Sequence, residues 1–145
     1  MTIWLAISNS TNWEIIKTTK IWGVSKRHKN AIDKVMLKDK IIVYSQIRKG
    51  NNRSPEITGI YEVISPVYED STKIFIPPKN WGDESFPFRV KLKPIKIFKI
   101  PILFESLIEK LNFITNKKNW GGHLQGKAMR MIPEEDYETI FSIQS

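Results

Sequence analysis

The sequence predicts an α+β domain in which helices flank a mainly antiparallel β-sheet or small barrel. Segments rich in β-branched and aromatic residues lie in the middle of the chain, whereas patterns typical of helices lie toward both ends. No repeat, low-complexity segment or linker divides the 145 residues, of which 41% are hydrophobic. We therefore expect a single globular domain over residues 1–145.

The first quarter of the chain is predicted to contain a strand and two helices. The apolar run at residues 3–7 indicates a strand, and the polar residues 8–10 indicate a turn or helix cap after it. Residues 11–19 indicate a short helix. Ser25 is a suitable N-cap for a second helix over residues 26–36, which would carry a basic cluster in its first turn.

The middle of the chain is predicted to supply most of the sheet. Residues 40–45 and 57–64 have the composition of two pairing strands, and the basic, polar segment 48–55 between them indicates an exposed hairpin loop. Residues 86–100 alternate between apolar and basic side chains and form the longest predicted strand. Pro94 should bend or bulge that strand, because proline donates no hydrogen bond to a neighbour.

The last third of the chain returns to helical patterns. Residues 103–111 indicate a helix, and residues 128–132 indicate a final strand that closes the sheet. Pro133 and the three acidic residues after it indicate a helix start, since proline suits a first turn and carboxylates are stabilised at the positive end of the helix dipole.

The positive charge of the chain is concentrated near its beginning. The formal net charge is +8, and the first 50 residues hold ten Lys and Arg against three Asp and Glu. Such asymmetry suits a polyanionic partner, because neutralised phosphates release counterions and so favour binding. A lysine-rich surface that serves only solubility is the other interpretation, and charge alone does not separate the two.

Composition argues against several classes of function. Without cysteine, disulfides, thiolate metal sites and thiol nucleophiles are excluded, which suits a cytoplasmic protein. No apolar run approaches the roughly 20 residues of a membrane span. His28 and His123 form no metal-binding pattern, and no glycine-rich phosphate loop occurs, so no cofactor is expected. Glu62, Glu69 and Asp70 have the spacing of surface acids, and catalysis is unsupported.

Tryptophan followed by glycine occurs three times in a chain that has only seven glycines: Trp22-Gly23, Trp81-Gly82 and Trp120-Gly121. Glycine has no β-carbon beside the ring, so a loop can present the face of the indole to a ligand. Trp22 has two open interpretations, a ligand-binding wall or a core residue. Trp4 and Trp13 lie within apolar patterns and are predicted to be core residues.

Motifs along the whole chain resemble the EVE domain in its small stand-alone prokaryotic form. They comprise residues 4–9, 12–13, 22–24, 28–30, 59–63, 86–90, 117–120, 128–130 and 133–137. EVE domains belong to the PUA-like group and are similar to YTH domains, which read methylated adenine in RNA. The resemblance implies a mixed, mainly antiparallel β-barrel flanked by helices, and a non-enzymatic module that holds a modified base in an aromatic pocket.

The YTH pattern implies roles for individual residues of this chain. Ser8 and Asn9 stand where a Ser-Asn pair contacts the base, and Trp22, followed by Ser25, stands at one wall of the cage. In the YTH pattern the second wall of the cage is an aromatic residue before a proline loop. The positional match here is Phe75, which precedes Pro77, and Trp81 is a competing candidate. Where the YTH pattern has an asparagine, this chain departs from it with Trp13.

The EVE-like motifs extend the candidate site beyond the cage. Three further candidates for the base pocket are Asn30, Trp120 and His123. The basic residues expected along a phosphate backbone are Lys26, Arg27, Lys29, Arg48, Arg53 and Arg130. The expected partner is therefore modified DNA or RNA, with no membrane and with a monomer as the default state. The alternatives are a PUA-like RNA-binding protein without preference for modification and, with less support, a PUA-like nuclease or hydrolase.

Overall fold

The computed structural model describes residues 1–46 and 55–143 with their side chains and, between them, the backbone of residues 48–49 and 52–53. The strands and α-helices in chain order are β1 (Ile3–Asn9), α1 (Ser10–Thr19), β2 (Ile21–Val24), α2 (Lys29–Ile32), β3 (Lys40–Gln46), β4 (Arg48–Lys49), β5 (Asn52–Arg53), β6 (Glu56–Val63), β7 (Tyr68–Glu69), β8 (Phe88–Leu103), β9 (Met129–Ile132) and α3 (Glu134–Phe141). Single turns of 3-10 helix lie at Lys26–His28, Lys79–Trp81, Phe104–Leu107 and Trp120–His123.

The main sheet is mixed and mainly antiparallel, as predicted. Its strand order is β2-β8-β6-β3-β1-β9, with β7 also paired to β8, and only the β1–β3 pair is parallel among the described strands. The short strands β4 and β5 pair with each other in the predicted hairpin. The long strand β8 pairs with β2 and β7 near its start and with β6 farther along. Through this change of partner the sheet curls into a half-barrel.

Proline and glycine mark the irregular positions of the β6–β8 pair. The register shifts between Ile60 and Tyr61, where Tyr61 lies opposite Pro94, and again between Ile57 and Gly59. Proline cannot donate to the neighbouring strand, and a register shift accommodates the missing hydrogen bond. The predicted irregularity at Pro94 is therefore confirmed.

Both faces of the sheet are covered by apolar clusters. Along β1, Ile3 and Leu5 belong to one cluster, whereas Trp4 and Ala6 belong to the other. Successive side chains of a strand point to opposite faces, so a continuous apolar run indicates a strand that is buried on both sides. The cluster that contains Trp4 also contains Trp13, and the prediction that both are core residues is confirmed.

Helix α1 begins and ends at well-defined caps. The side-chain oxygen of Asn9 accepts a hydrogen bond from the backbone N–H of Asn12 at 2.8 Å, as an N-cap does. Lys20 adopts a left-handed conformation and donates its backbone N–H to Ile16 at the C-terminal end. The predicted helix is confirmed, and no helix in the described part of the chain is long and apolar enough to span a membrane.

Two predicted helices are shorter than expected, and a carboxylate binds the backbone at or just beyond the end of each segment. The segment 26–36 forms only a 3-10 turn and α2, and Asp39 accepts the N–H of Met36 at 3.0 Å. The segment 103–111 contains a 3-10 turn instead of an α-helix. Just beyond it, the carboxylate of Asp136, at the start of α3, accepts the N–H groups of residues 112 and 113 at 2.7 and 2.9 Å.

Candidate functional site

A cavity of about 270 Å³ opens where β1 ends and α1 begins. Its wall combines the ends of β1 and β3, the start of α1, strand β2 with the turn that follows it, the loop before β8 and the residues before β9. These segments meet because β8 pairs with β2, while β1 pairs with both β3 and β9. The described residues around the cavity are Ile7, Ser8, Asn9, Asn12, Trp22, Gly23, Arg27, His28, Gln46, Phe75, Pro78, Trp81, Phe86, Gly126, Lys127 and Ala128.

Four aromatic residues, Trp22, Phe75, Trp81 and Phe86, line the cavity. Trp22 and Phe75 are only 5% and 6% exposed, so each is both a core residue and a wall of the cavity. Trp81 is 42% exposed and forms the outer part of the wall. The ring of Phe86 joins the two parts, with centroids 6.0 Å from Phe75 and 5.9 Å from Trp81.

Gly23 allows the aromatic walls to approach β2 closely. A β-carbon at this position would lie 2.8 Å from the carbonyl oxygen of Phe86 and 3.0 Å from a ring carbon of Phe75. Folded proteins do not contain β-carbon contacts as short as 2.8 Å, so a larger residue would displace the loop. The glycine of the Trp22-Gly23 pair is therefore required by packing.

A buried arginine holds the loop that carries the second aromatic wall. The guanidinium group of Arg89 donates to the backbone carbonyls of Phe86 at 3.0 Å, Ser85 at 2.9 Å and Thr72. The same group lies 5.6 Å from the ring centroid of Phe75, a cation–π arrangement. Arg89 thus fixes both the backbone of the loop and the ring that faces the cavity.

Asparagine side chains fix the part of the cavity where β1 meets α1. Asn12 donates its amide to the carbonyl of Ile76 at 3.1 Å and accepts the N–H of Ile76 at 2.9 Å. This two-way bond ties α1 to the loop beside Phe75. Asn9 accepts from the backbone of Asn12, and the Ser8 hydroxyl donates to the carbonyl of Asn9 at 3.1 Å.

Two polar atoms of the β2 region are buried and lack hydrogen-bond partners among the described residues: the indole N–H of Trp22 and the hydroxyl of Ser25. An unsatisfied buried donor costs roughly 1–3 kcal/mol. Trp22 lines the cavity, but its indole N–H has almost no accessible surface and is enclosed by the protein. Ser25 lies outside the described lining.

The cavity has positive and neutral polar groups around its aromatic walls. Arg27 and Lys127 are exposed lining residues. Burial, and secondarily the charge of Arg27, holds the pKa of His28 below its usual value of 6.5, so this imidazole is neutral at pH 7. No acidic residue lines the cavity among those described, and no described group of His, Asp or Glu is arranged to hold a metal ion.

The structure brings together six of the residues proposed from the sequence. Around the one cavity lie Ser8, Asn9, Trp22, Arg27, Phe75 and Trp81. Phe75 and Trp81 need not compete for a single position, because they occupy successive parts of the same wall.

The candidates on the turn and helix after β2, apart from Arg27, do not line this cavity. Lys26, Lys29 and Asn30 are exposed on the turn and helix that follow β2, and none of the three is in the described lining. The side chains of Arg48 and Arg53 lie outside the described residues.

The remaining candidates lie across the sheet or contact other parts of the protein. Trp120 lines a neighbouring cavity instead of the first one. The Nε2 atom of His123 accepts the N–H of Asn116 at 3.1 Å. Arg130 donates to the carbonyl of His123 at 3.1 Å and lies 4.8 Å from the ring centroid of Phe113, so it joins the final strand to the preceding loop.

Sequence reasoning missed several lining residues that depend on pairing between distant segments. Gln46 ends β3 directly opposite Asn9, and the parallel pairing of β1 with β3 brings both strand ends to the cavity. Lys127 arrives through the segment before β9, in which the carbonyl of Ala128 accepts the N–H of Ile7 at 2.8 Å. The Asn12-Trp13 motif drew attention to Trp13, although Asn12 is the residue that reaches the cavity.

Comparison with known sequences gives full-length matches. A UPF0310 protein of Pyrococcus abyssi is 49% identical over 145 residues, and the match covers 99% of each chain. A UPF0310 protein of Pyrococcus horikoshii is 50% identical over 143 residues, which cover 97% of each chain.

Solved structures confirm the predicted PUA-like fold. The human THYN1 protein, solved in complex with DNA that contains 5-methylcytosine, has a TM-score of 0.61 at 15% identity, covering 98% of this chain and 96% of that one. The Pho92 YTH domain, solved in complex with m6A, has a TM-score of 0.64 at 14% identity, covering 97% and 80%. The EVE domain model matches residues 2–143. This chain therefore belongs to the EVE domain family.

Proposed function

We propose that this protein is a non-enzymatic module that binds nucleic acid and recognises a modified base of DNA or RNA in the cavity between Trp22, Phe75 and Trp81. The observation that carries the proposal is the composition of the cavity wall: aromatic rings inside, amide groups at the strand ends, and cations nearby. This combination suits a planar, hydrogen-bonding ligand attached to a phosphate backbone.

The energetics of the wall favour a base with an added apolar group. Stacking on an aromatic side chain contributes roughly 1–3 kcal/mol per base. A methyl group buried between Trp22 and Phe75 would add about 0.8 kcal/mol, or roughly fourfold in affinity. Discrimination from the methyl group alone is thus small, and the side-chain amides of Asn9 and Gln46 in the lining can reinforce it by hydrogen bonds.

Arg27 and Lys127 are the proposed phosphate contacts. Both are exposed residues of the cavity lining, on different segments, so a strand could be held on two sides of the bound base. A base in duplex DNA must first be flipped out at a cost of a few kcal/mol, whereas a single strand avoids most of that cost. We therefore expect tighter binding to single strands.

Two solved structures with the same fold support the choice of ligand. The human THYN1 structure contains 5-methylcytosine DNA, and the Pho92 YTH structure contains m6A. These modified bases differ, yet each is a planar base that carries one added methyl group. They are therefore the two probes with which to test this protein.

Titration of single strands that contain 5-methylcytosine, N6-methyladenine or the unmodified bases tests the proposal. One modified strand should bind at least roughly fourfold more tightly than its unmodified counterpart. Trp22→Ala and Trp81→Ala should each lower that affinity by roughly 5- to 150-fold, the range expected for loss of one stacking contact. Trp81→Ala is the sharper variant, because Trp81 lies outside the apolar core clusters and its loss should leave folding intact.

Phe141→Ala is a matched control, because Phe141 is 43% exposed, like Trp81, but lines neither cavity beside Trp22 or Trp120. Its affinity should equal that of the wild type. Equal binding of all strands, unchanged in Trp81→Ala, would contradict modified-base recognition. It would favour sequence-independent binding through the exposed cations Lys26, Arg27 and Lys29.

A further inference from the structure

A second cavity of about 660 Å³ adjoins the first one. Its volume lies within the range of roughly 300–1,000 Å³ that is usual for ligand sites. Ile7, Gln46, Gly126 and Lys127 line both cavities, so the partition between them is only one residue thick in places. Two ligand groups bound in the two cavities would therefore be immediate neighbours.

Trp120 gives the second cavity an anchored aromatic wall. The residue is partly buried and begins the 3-10 turn Trp120–His123, and its ring centroid lies 5.3 Å from that of Phe104 in the apolar core. Gly121 follows it in the lining, and a β-carbon there would meet no atom within 4 Å. The ring is thus fixed against the core, and the backbone that follows it has open space beside it.

The polar groups shared by the two cavities have the chemistry of a nucleotide linkage. Lys127 is an exposed cation that lines both cavities, and the Gln46 amide can donate and accept hydrogen bonds in either. No acidic side chain lines the second cavity among the residues described. A third cavity, beside Trp13, has Glu14 and Glu56 in its lining and is less suited to a phosphate.

We infer that the second cavity is a subsite for the nucleotide that neighbours the modified base. Its base packs on Trp120, and the phosphate between the two nucleotides lies at Lys127. This inference rests on the proposed function of the first cavity. It adds that the protein reads a dinucleotide step of a single strand instead of an isolated base.

A thermodynamic cycle tests the subsite. The probes are short single strands that contain 5-methylcytosine or N6-methyladenine, in which the neighbouring base on one side, then on the other, is replaced by an abasic residue. For wild-type protein, one of these replacements should weaken binding by roughly 5- to 150-fold, because it removes one stacked base and keeps the phosphates. In Trp120→Leu, which retains an apolar contact with Phe104, the same replacement should have no effect.

Trp120→Phe separates stacking from a structural role, since it keeps an aromatic ring and should restore most of the sensitivity to the abasic residue. Thermal unfolding of all variants shows whether each is folded. If Trp120→Leu weakens the intact and the abasic strands equally, the subsite is overturned. If modified and unmodified strands bind equally, while the abasic replacement still weakens binding to wild type but not to Trp120→Leu, only the proposed function is overturned. If no strand binds, both the proposed function and the subsite are overturned.

Discussion

At the scale of single residues, the glycines after Trp22 and Trp120 differ in what surrounds them. A β-carbon at Gly23 would collide with the backbone of Phe86 and crowd Phe75, whereas a β-carbon at Gly121 would meet nothing within 4 Å. The same dipeptide therefore serves close packing in one place and an open surface in the other.

Alanine at these two glycines gives a matched test of this difference. Gly23→Ala should lower the free energy of unfolding by roughly 1–3 kcal/mol, because the loop must move away from β2. It should also weaken binding to the modified strand, since Phe75 moves with the loop. Gly121→Ala should change the free energy of unfolding by less than about 0.5 kcal/mol. Urea unfolding and titration measure both effects, and equal destabilisation by the two substitutions would contradict the packing argument.

His28 should make stability depend on pH. Its pKa is lowered in the folded protein, so above pH 6.5 the imidazole is mainly neutral in both the folded and the unfolded chain. In that range His28 does not change the free energy of unfolding. As the pH falls below 6.5, the unfolded chain takes up the proton first, and the free energy of unfolding declines until the folded pKa is passed. Urea unfolding between neutral and mildly acidic pH should show a smaller decline in His28→Gln than in the wild type. An identical decline would show that other groups are responsible.

The resemblance to the EVE and YTH patterns predicted part of the cavity lining, and strand pairing determined the rest. Ser8 and Asn9 were proposed from the YTH pattern, and Trp22 from that pattern and from its pairing with glycine. The two interpretations of Trp22, core or wall, proved compatible, because the pairing of β2 with β8 places it at the edge of a core cluster. Gln46 was missed because only the β1–β3 register brings it to Asn9.

At the scale of elements, Arg89 stabilises the loop before β8, which has no strand pairing of its own between β7 and Phe88. The side chain is 1% exposed and lies 3.7 Å from the carboxylate of Asp70, at the other end of the loop. Its hydrogen bonds to three backbone carbonyls replace the contacts that a strand would make. Arg89 therefore positions the second aromatic wall from the side of β8, while Asn12 holds the same loop from the side of α1.

Arg89→Met should lower the free energy of unfolding by roughly 1–3 kcal/mol, because the part-buried hydrogen bonds to the carbonyls of Ser85 and Phe86 are lost. Arg89→Lys should restore little, since an ammonium group cannot reproduce the planar fork of donors. Lys91→Met is the control on the same strand, because Lys91 is exposed, and it should have a small effect. Denaturant unfolding measures all three, and similar losses for Arg89→Met and Lys91→Met would rule out this role.

The elements predicted correctly are those whose signals are local. Residues 3–7 form part of β1, the Asn9 cap begins α1, and Pro133 precedes α3. The expected helix at residues 103–111 failed for a non-local reason, because that segment follows the surface of the core and its continuation binds Asp136. Apolar spacing cannot distinguish a helix from such a buried irregular segment.

At the scale of the whole molecule, only a small part of the positive charge lies at the first cavity. The net charge is +8, yet Arg27 and Lys127 are the only exposed cations in the described lining of the first cavity. Most cations therefore contribute to the general positive potential of the protein, which speeds and strengthens encounter with any polyanion. The two lining cations should act differently, through contacts with particular phosphates.

Salt dependence separates these two contributions. The logarithm of the binding constant for a single strand should fall linearly with the logarithm of the salt concentration, by about 0.7 in slope for each phosphate contact. Arg27→Gln and Lys127→Gln should each make the slope less steep by about that amount. Lys110→Gln removes the same charge from an exposed residue that lines neither cavity, and its slope should match the wild type. If all three substitutions reduce the slope equally, net charge governs binding and the lining cations have no special position.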